Sequence, residues 1–165
     1  MSNIYMKIPN IQGSTTEKTH SGWIELKSMD FGTHRNISVQ PGSVSDRENY
    51  ILRISDFSVT KILDKSSPEL FEASCVGSSN GTVIIQACRT TPDGFDDYLQ
   101  YTLSDTIISH YDINAFSSDS ESNEPVETVR LNFTKIEMKY IPRDSSNRAG
   151  SPVVCGYDIE KATKL

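Results

Sequence analysis

The side chains able to carry chemistry are few and scattered. Three histidines, His20, His34 and His110, fall in separate predicted turns or strand ends. None stands at the HxxxH or His-x-His spacing that puts two metal ligands on one face. Cys75, Cys88 and Cys155 are odd in number and far apart, which fits neither a disulfide framework nor a structural zinc site and reads as buried or incidental thiols. A nucleophilic Ser or Cys needs a base beside it, yet there is no G-x-S-x-G elbow, and Cys75 comes late in a predicted helix, away from the helix start that activates a thiol. Asp119, Glu121 and Glu124 share a polar stretch without the sixth-position Gly and twelfth-position Glu of an EF-hand loop. Glycines occur singly at turns, so no phosphate-cradling loop forms. The expectation is no catalytic residue, no metal and no cofactor.

The frame holding these residues reads as β-structure with one helix. Phe57, Val59 and Lys61 alternate with Ser58, Thr60 and Ile62, the pattern of a half-buried strand. Asp64 to Ser66 breaks the run. Ser67 is placed to cap a helix whose first residue is Pro68, where a missing N–H costs nothing, and Gly77 closes it in the left-handed conformation. The chain opens on a strand with Ile4, Met6 and Ile8 on one side and Tyr5 and Lys7 on the other, interrupted at Pro9 and Asn10. Ser21 to Leu26 leads into a second strand with Ile24 and Leu26 inward, and Trp23 either flanks that core or packs against a neighbour. Thr82–Arg89, Tyr98–Leu103 and Thr106–Ile113 read as an antiparallel meander, with Pro92, Asp93 and Gly94 marking a turn. Ser117 to Val126 is an acidic turn too polar to bury itself.

Two stretches stand out. Along the last long strand Val129, Leu131 and Phe133 occupy odd positions, whereas Ile136, Met138 and Tyr140 occupy even ones, so the apolar face changes phase across Thr134 and Lys135. One extra residue in a β-bulge restores a single face; the alternative is burial of both faces, one by another subunit. Asp30 to Asn49 is a polar stretch with Gly32, Pro41 and Gly42, longer than an ordinary connection, with room for a projecting hairpin around Ile37 and Val39.

With 165 residues the chain fits one domain, in which roughly 68 to 70 % of the unfolded surface can be buried. Its 16 Lys plus Arg against 22 Asp plus Glu give a net charge of −6, which opposes attraction to nucleic-acid phosphates or anionic lipid. No apolar run approaches the roughly 18 to 20 residues of a membrane span, and the opening MSNIYMKIPN lacks a basic segment followed by an apolar one, so a cytoplasmic start without a cleavable signal peptide is expected.

The run TK-x-x-DKSSP-x-L (Thr60 to Leu70), followed by Cys75 and Gly77, resembles the signature of the Hcp family, the hemolysin-coregulated proteins of bacterial type VI secretion. The opening Ile4 to Leu26, the segment Thr128 to Pro142 and the closing GYDIEKATKL are similar in content and order, so the resemblance spans nearly the whole of residues 1–165.

The resemblance implies two antiparallel sheets closed into a β-barrel with one short α-helix, assembling as a homohexameric ring. Rings of that family stack into a tube that is exported with a spike. Sheath and baseplate components are partners, and small effectors can ride in the lumen. It further implies that the loop at about 30–49 lies at contacts between subunits and stacked rings, where Phe31, His34, Arg35 and Arg47 offer an aromatic anchor and charge. A secreted β-barrel binding module and a contractile-phage tail-tube-like protein are the alternatives.

Overall fold

Alternating apolar side chains build two antiparallel sheets that share one core. The computed structural model describes residues 2–37, 41–42, 51–91, 94–117 and 124–165. In chain order the elements are β1 (Ser2–Lys7), β2 (Ile24–Leu26), β3 (Ser28–Asp30), β4 (Thr33–Arg35), β5 (Leu52–Ile54), β6 (Phe57–Ile62), α1 (Ser67–Val76), β7 (Val83–Thr91), β8 (Gly94–Ser104), β9 (Ile107–Asn114), β10 (Val126–Asn132), β11 (Lys135–Tyr140), β12 (Val153–Asp158) and β13 (Thr163–Lys164). A seven-stranded sheet runs β13-β12-β11-β8-β7-β1-β2, a four-stranded sheet runs β3-β6-β10-β9, and β4 pairs with β5 alone. Met6, Ile24, Val83, Ile85 and Leu103 of the large sheet meet Phe57, Val59, Val129 and Leu131 of the smaller one in the buried core. No described helix is long and apolar enough to cross a membrane.

The mainly β character and the short helix agree with expectation; the closed barrel does not. Each strand order has two ends, so the sheets are open. At one corner the chain crosses between sheets on the three-residue strands β2 and β3. There the Lys27 N–H donates to the Thr60 carbonyl at 2.8 Å, a single bond that joins the sheets without continuing a ladder. At the far side α1 lies against β9, with Phe71 and Tyr111 ring centroids 5.9 Å apart.

Two sequence expectations change for the same reason. The meander holds for β7 and β8, but β9 leaves them to pair with β10. The chain turns at Asp105, whose φ is +51°, and Thr106 is tied down by its N–H to Gly81 and its hydroxyl to Leu103. The phase change after Phe133 is likewise a switch of sheet and not a bulge: β10 belongs to one sheet and β11 to the other, so the odd positions of β10 and Ile136 of β11 reach the same core. Thr134 marks that corner, its N–H donating to Ser104 at 3.0 Å. The register irregularity in this region lies further back, where Arg130 and Leu131 oppose His110 and Ile108 and leave Ser109 as the extra residue of β9.

The start of the long polar stretch forms an arm. Thr33, His34 and Arg35 pair with Ile54, Arg53 and Leu52, a pairing that flanks the position expected for the hairpin; Ile37 lies outside any strand. Val39 and Arg47 lie outside the described residues.

Candidate functional site

Charges at the inward ends of two paired strands must meet each other or be buried alone. Lys61 follows Phe57 and Val59 on the inward side of β6, Glu127 precedes Val129 and Leu131 on the inward side of β10, and the register sets the two directly opposite. Both are fully buried. Lys61 Nζ donates to Glu127 Oε2 at 2.5 Å, to the Ile62 carbonyl at 2.8 Å and to Ser67 Oγ at 3.1 Å, and it pairs with Asp64 Oδ1 at 2.9 Å. The Ser67 hydroxyl donates to Glu127 Oε2 at 2.7 Å and accepts the Asp64 N–H at 3.0 Å. The Tyr111 hydroxyl donates to Glu127 Oε1. β6, β9, β10 and the first turn of α1 are thus fastened at one point.

This network corrects the placing of the helix cap. Ser66, not Ser67, stands at the cap position, with φ −75° and ψ −18° and no capping bond from its side chain. Asp64, two residues back, instead fixes the cap residue itself, accepting the Ser66 N–H at 2.9 Å and the Ser66 hydroxyl at 2.5 Å. Ser67 is the first helical residue, so its hydroxyl faces the ion pair. Pro68 stays in the first turn, and Gly77 closes the helix at φ +69° with its N–H on Ala73. Burial raises the Asp64 carboxyl, but the Ser66 hydroxyl and Lys61 outweigh it and hold the group below the usual range. Tyr111 moves up, from burial first and then from the carboxylate it donates to.

A serine beside a lysine is also the geometry of a nucleophile and its base. Here the ammonium is shared between two carboxylates, and both side chains are sealed in the core, so the arrangement anchors the helix and offers no reacting atom to a substrate.

A second buried cluster escaped the sequence reading. His20 is buried, with Nδ1 2.6 Å from Glu17 Oε2, Nε2 2.9 Å from Gln86 Oε1, and Cys88 Sγ 3.6 Å from the same Nε2. Its ring stacks on Tyr5 at 4.4 Å and meets Trp23 edge-on at 4.9 Å. Glutamate, imidazole and thiol in a row suggest activation of the thiol, but burial, then Asp97 and Glu17, push Cys88 up to about 11. The cluster pins the connection between β1 and β2 onto the outer face of the large sheet. Burial raises the Glu17 carboxyl, yet hydrogen bonds from Thr19 and His20 bring it down to about 2. Among the described residues no three His, Cys, Asp or Glu side chains gather to hold a metal ion.

The expected contact residues divide. Phe31 turns inward: it stacks on Phe57 at 5.5 Å and packs near Tyr101 and Phe133. His34 and Arg35 stand exposed on the arm, His34 hydrogen-bonded to Asn36. Elsewhere the core side of β11 and β12 runs beyond the cover of the smaller sheet. Met138, Tyr140 and Val153 continue the side of buried Ile136 and stay 43 %, 44 % and 59 % exposed.

The result is an open β-sandwich whose buried charges serve its frame and whose large sheet carries an apolar face into the surface. Residues 5–140 match the family model described as type VI secretion system effector, Hcp, and the chain belongs to that family. The protein hcp1 of Pseudomonas aeruginosa is 25 % identical over 160 residues, covering 96 % of each chain. The solved structure of a type six secretion system protein is similar over all of both chains, with a TM-score of 0.91 and 22 % identity. Hcp1 from Salmonella typhimurium gives 0.76 and 22 % over 99 % of each. A type VI secretion effector from Yersinia pestis gives 0.69 and 22 % over 94 % of this chain and 98 % of its own. These structural likenesses are of fold.

Proposed function

We propose that the chain is a tube subunit of the type VI secretion system that closes into a ring of six and stacks ring on ring. The tube is exported with a spike inside a sheath assembled on a baseplate, and its lumen carries small effectors. The subunit is made in the bacterial cytoplasm and is secreted; its role is structural, not enzymatic. The observation that carries the reading is the uncovered apolar continuation of the large sheet at Met138, Tyr140 and Val153. A contiguous apolar surface of this kind marks a protein contact, and open sheets leave edges that a neighbour can meet. A head-to-tail contact between identical subunits gives a ring when its rotation closes.

Native mass measurement and sedimentation at micromolar concentration test the proposal. Six copies per particle is the expected result, and Tyr140→Glu with Val153→Glu should yield folded monomers. A monomeric parent chain refutes the reading.

A further inference from the structure

His20 has two ring nitrogens, and the fold gives each an oxygen. Nδ1 lies 2.6 Å from Glu17 Oε2. Burial raises the Glu17 carboxyl, but bonds from Thr19 and His20 hold it at about 2. A carboxylate only accepts, so Nδ1 keeps its proton. Any change of charge at His20 therefore falls on Nε2, which lies 2.9 Å from Gln86 Oε1.

The amide of Gln86 continues a chain. Its Nε2 donates to Gln100 Oε1 at 2.8 Å, and Gln100 Nε2 donates to the Thr102 hydroxyl at 3.2 Å. Gln86 and Gln100 are cross-strand partners on β7 and β8, and Thr102 is the next residue on that side of β8. In this direction every donor points away from His20, and Nε2 meets an acceptor, as an imidazolium requires. The reverse direction is equally complete. If both amides turn over in place, the Thr102 hydroxyl donates to Gln100, Gln100 to Gln86, and Gln86 to a bare Nε2. A carbonyl oxygen left facing a bare nitrogen would put two acceptors together without a donor, so the direction of the chain follows the proton.

The groups around the ring leave this coupling intact. Tyr5 of β1 stacks on it, and Glu25 of β2 acts on Tyr5. Trp23 meets it edge-on, with Lys7 Nζ 5.9 Å from the indole centroid. From β7, Cys88 Sγ stands 3.6 Å from Nε2; burial, then Asp97 of β8 and Glu17, push this thiol up to about 11 and keep it neutral.

We propose that His20, Gln86, Gln100 and Thr102 form a proton-sensing relay from the connection between β1 and β2 across β7 and β8. Nε2 exchanges one proton with water, and no proton travels along the chain; the two amides turn over, and the Thr102 hydroxyl changes from acceptor to donor. The polar outer face of the large sheet thus has two hydrogen-bonding settings selected by pH, whether or not the chain assembles.

The test labels the full-length chain with nitrogen-15 in its histidine rings and glutamine side-chain amides, assigned by single substitutions, and follows the NMR spectra through about pH 5 to 8, where imidazoles change charge. His20 should lose its proton from Nε2 while Nδ1 stays protonated, and the Gln86 and Gln100 amide signals should shift with the same midpoint. In Gln86→Leu the ring should still titrate but Gln100 should no longer respond, which separates a relay from the field of the charge. His20→Gln should abolish both amide responses. A neutral His20 protonated on Nε2, a ring that keeps one charge throughout, amides that hold still while it titrates, or a Gln100 that responds without Gln86 each overturns the relay.

Discussion

Removing the amine of Lys61 is the sharpest test of how the helix is held. In Lys61→Met the shape is nearly kept, but Glu127 and Asp64 lose their shared cation, and Glu127 stays fully buried with only Ser67 and Tyr111 as donors. Removing one partner of a buried pair costs about 3 to 5 kcal/mol, mainly because the remaining charge is uncompensated. For a domain of this size each kcal/mol lowers the thermal midpoint by about 2 to 4 °C, so a fall of about 6 to 20 °C is expected. Urea unfolding should show the same loss with an unchanged m-value, measured at one protein concentration because assembly adds stability by mass action. Adding Glu127→Leu to Lys61→Met removes the orphaned charge along with the cation. The double variant should therefore be more stable than the summed single effects predict, by about 0.5 to 3 kcal/mol. A Lys61→Met chain within 1 kcal/mol of the parent, or strict additivity in the cycle, refutes the account of the network as a fastener.

Three further outcomes follow from the geometry. Gly77→Ala should cost about 1 to 2 kcal/mol for its left-handed backbone alone, because nothing lies within 4 Å of the added methyl, whereas Gly13→Ala should cost more, since its Cβ would fall 2.1 Å from the Trp23 carbonyl oxygen; comparable urea midpoints would contradict this. In the native chain an alkylating reagent at pH 8 should label Cys75 and Cys155, which are exposed, and spare Cys88, which is buried and held up near 11; peptide mapping that finds Cys88 modified at a similar rate would show that the connection between β1 and β2 opens readily. Glu17 and Asp64 sit below their ordinary values of 4.5 and 3.8 in the fold, so the stability each adds is present above the unfolded values and lost as pH falls toward the folded ones, about 2 for Glu17. Unfolding free energy should fall from about pH 5 to 2, and Glu17→Gln should flatten that slope.

Period-two patterns were enough to read β1 and β6 and the side each buries, and the alternation along β10 and β11 though not the break between them, because alternation depends only on neighbouring residues. Sheet membership was not legible. Whether β9 follows β8 in the same sheet depends on Asp105 adopting positive φ and on Thr106 bonding across to Gly81, contacts that sequence distance hides. The buried pair could have been found: Lys61 sits in phase with Phe57 and Val59, and Glu127 with Val129 and Leu131, so two opposite charges stood on apolar faces. The His20 cluster gave no such signal. Its partners Glu17, Gln86 and Cys88 come from the β1–β2 connection and a distant strand, and only the folded-back connection makes them neighbours. Ser67 was singled out for capping and matters through its bond to Glu127 instead.

The fastener at the end of β6 also has a mechanical meaning. A pull on the arm acts along β6, whose six residues are laddered side by side with β10 and, over part of their length, with β3. Load applied in that direction shears the ladder, so its hydrogen bonds share the strain and fail together; a pull across the sheet would open them one at a time. The Lys61–Glu127 pair sits at the far end from the grip, and the strand cannot slide by one residue without dragging both charges out of register into apolar packing. An extension along the line from β5 to α1 is thus resisted by the whole β6 ladder at once.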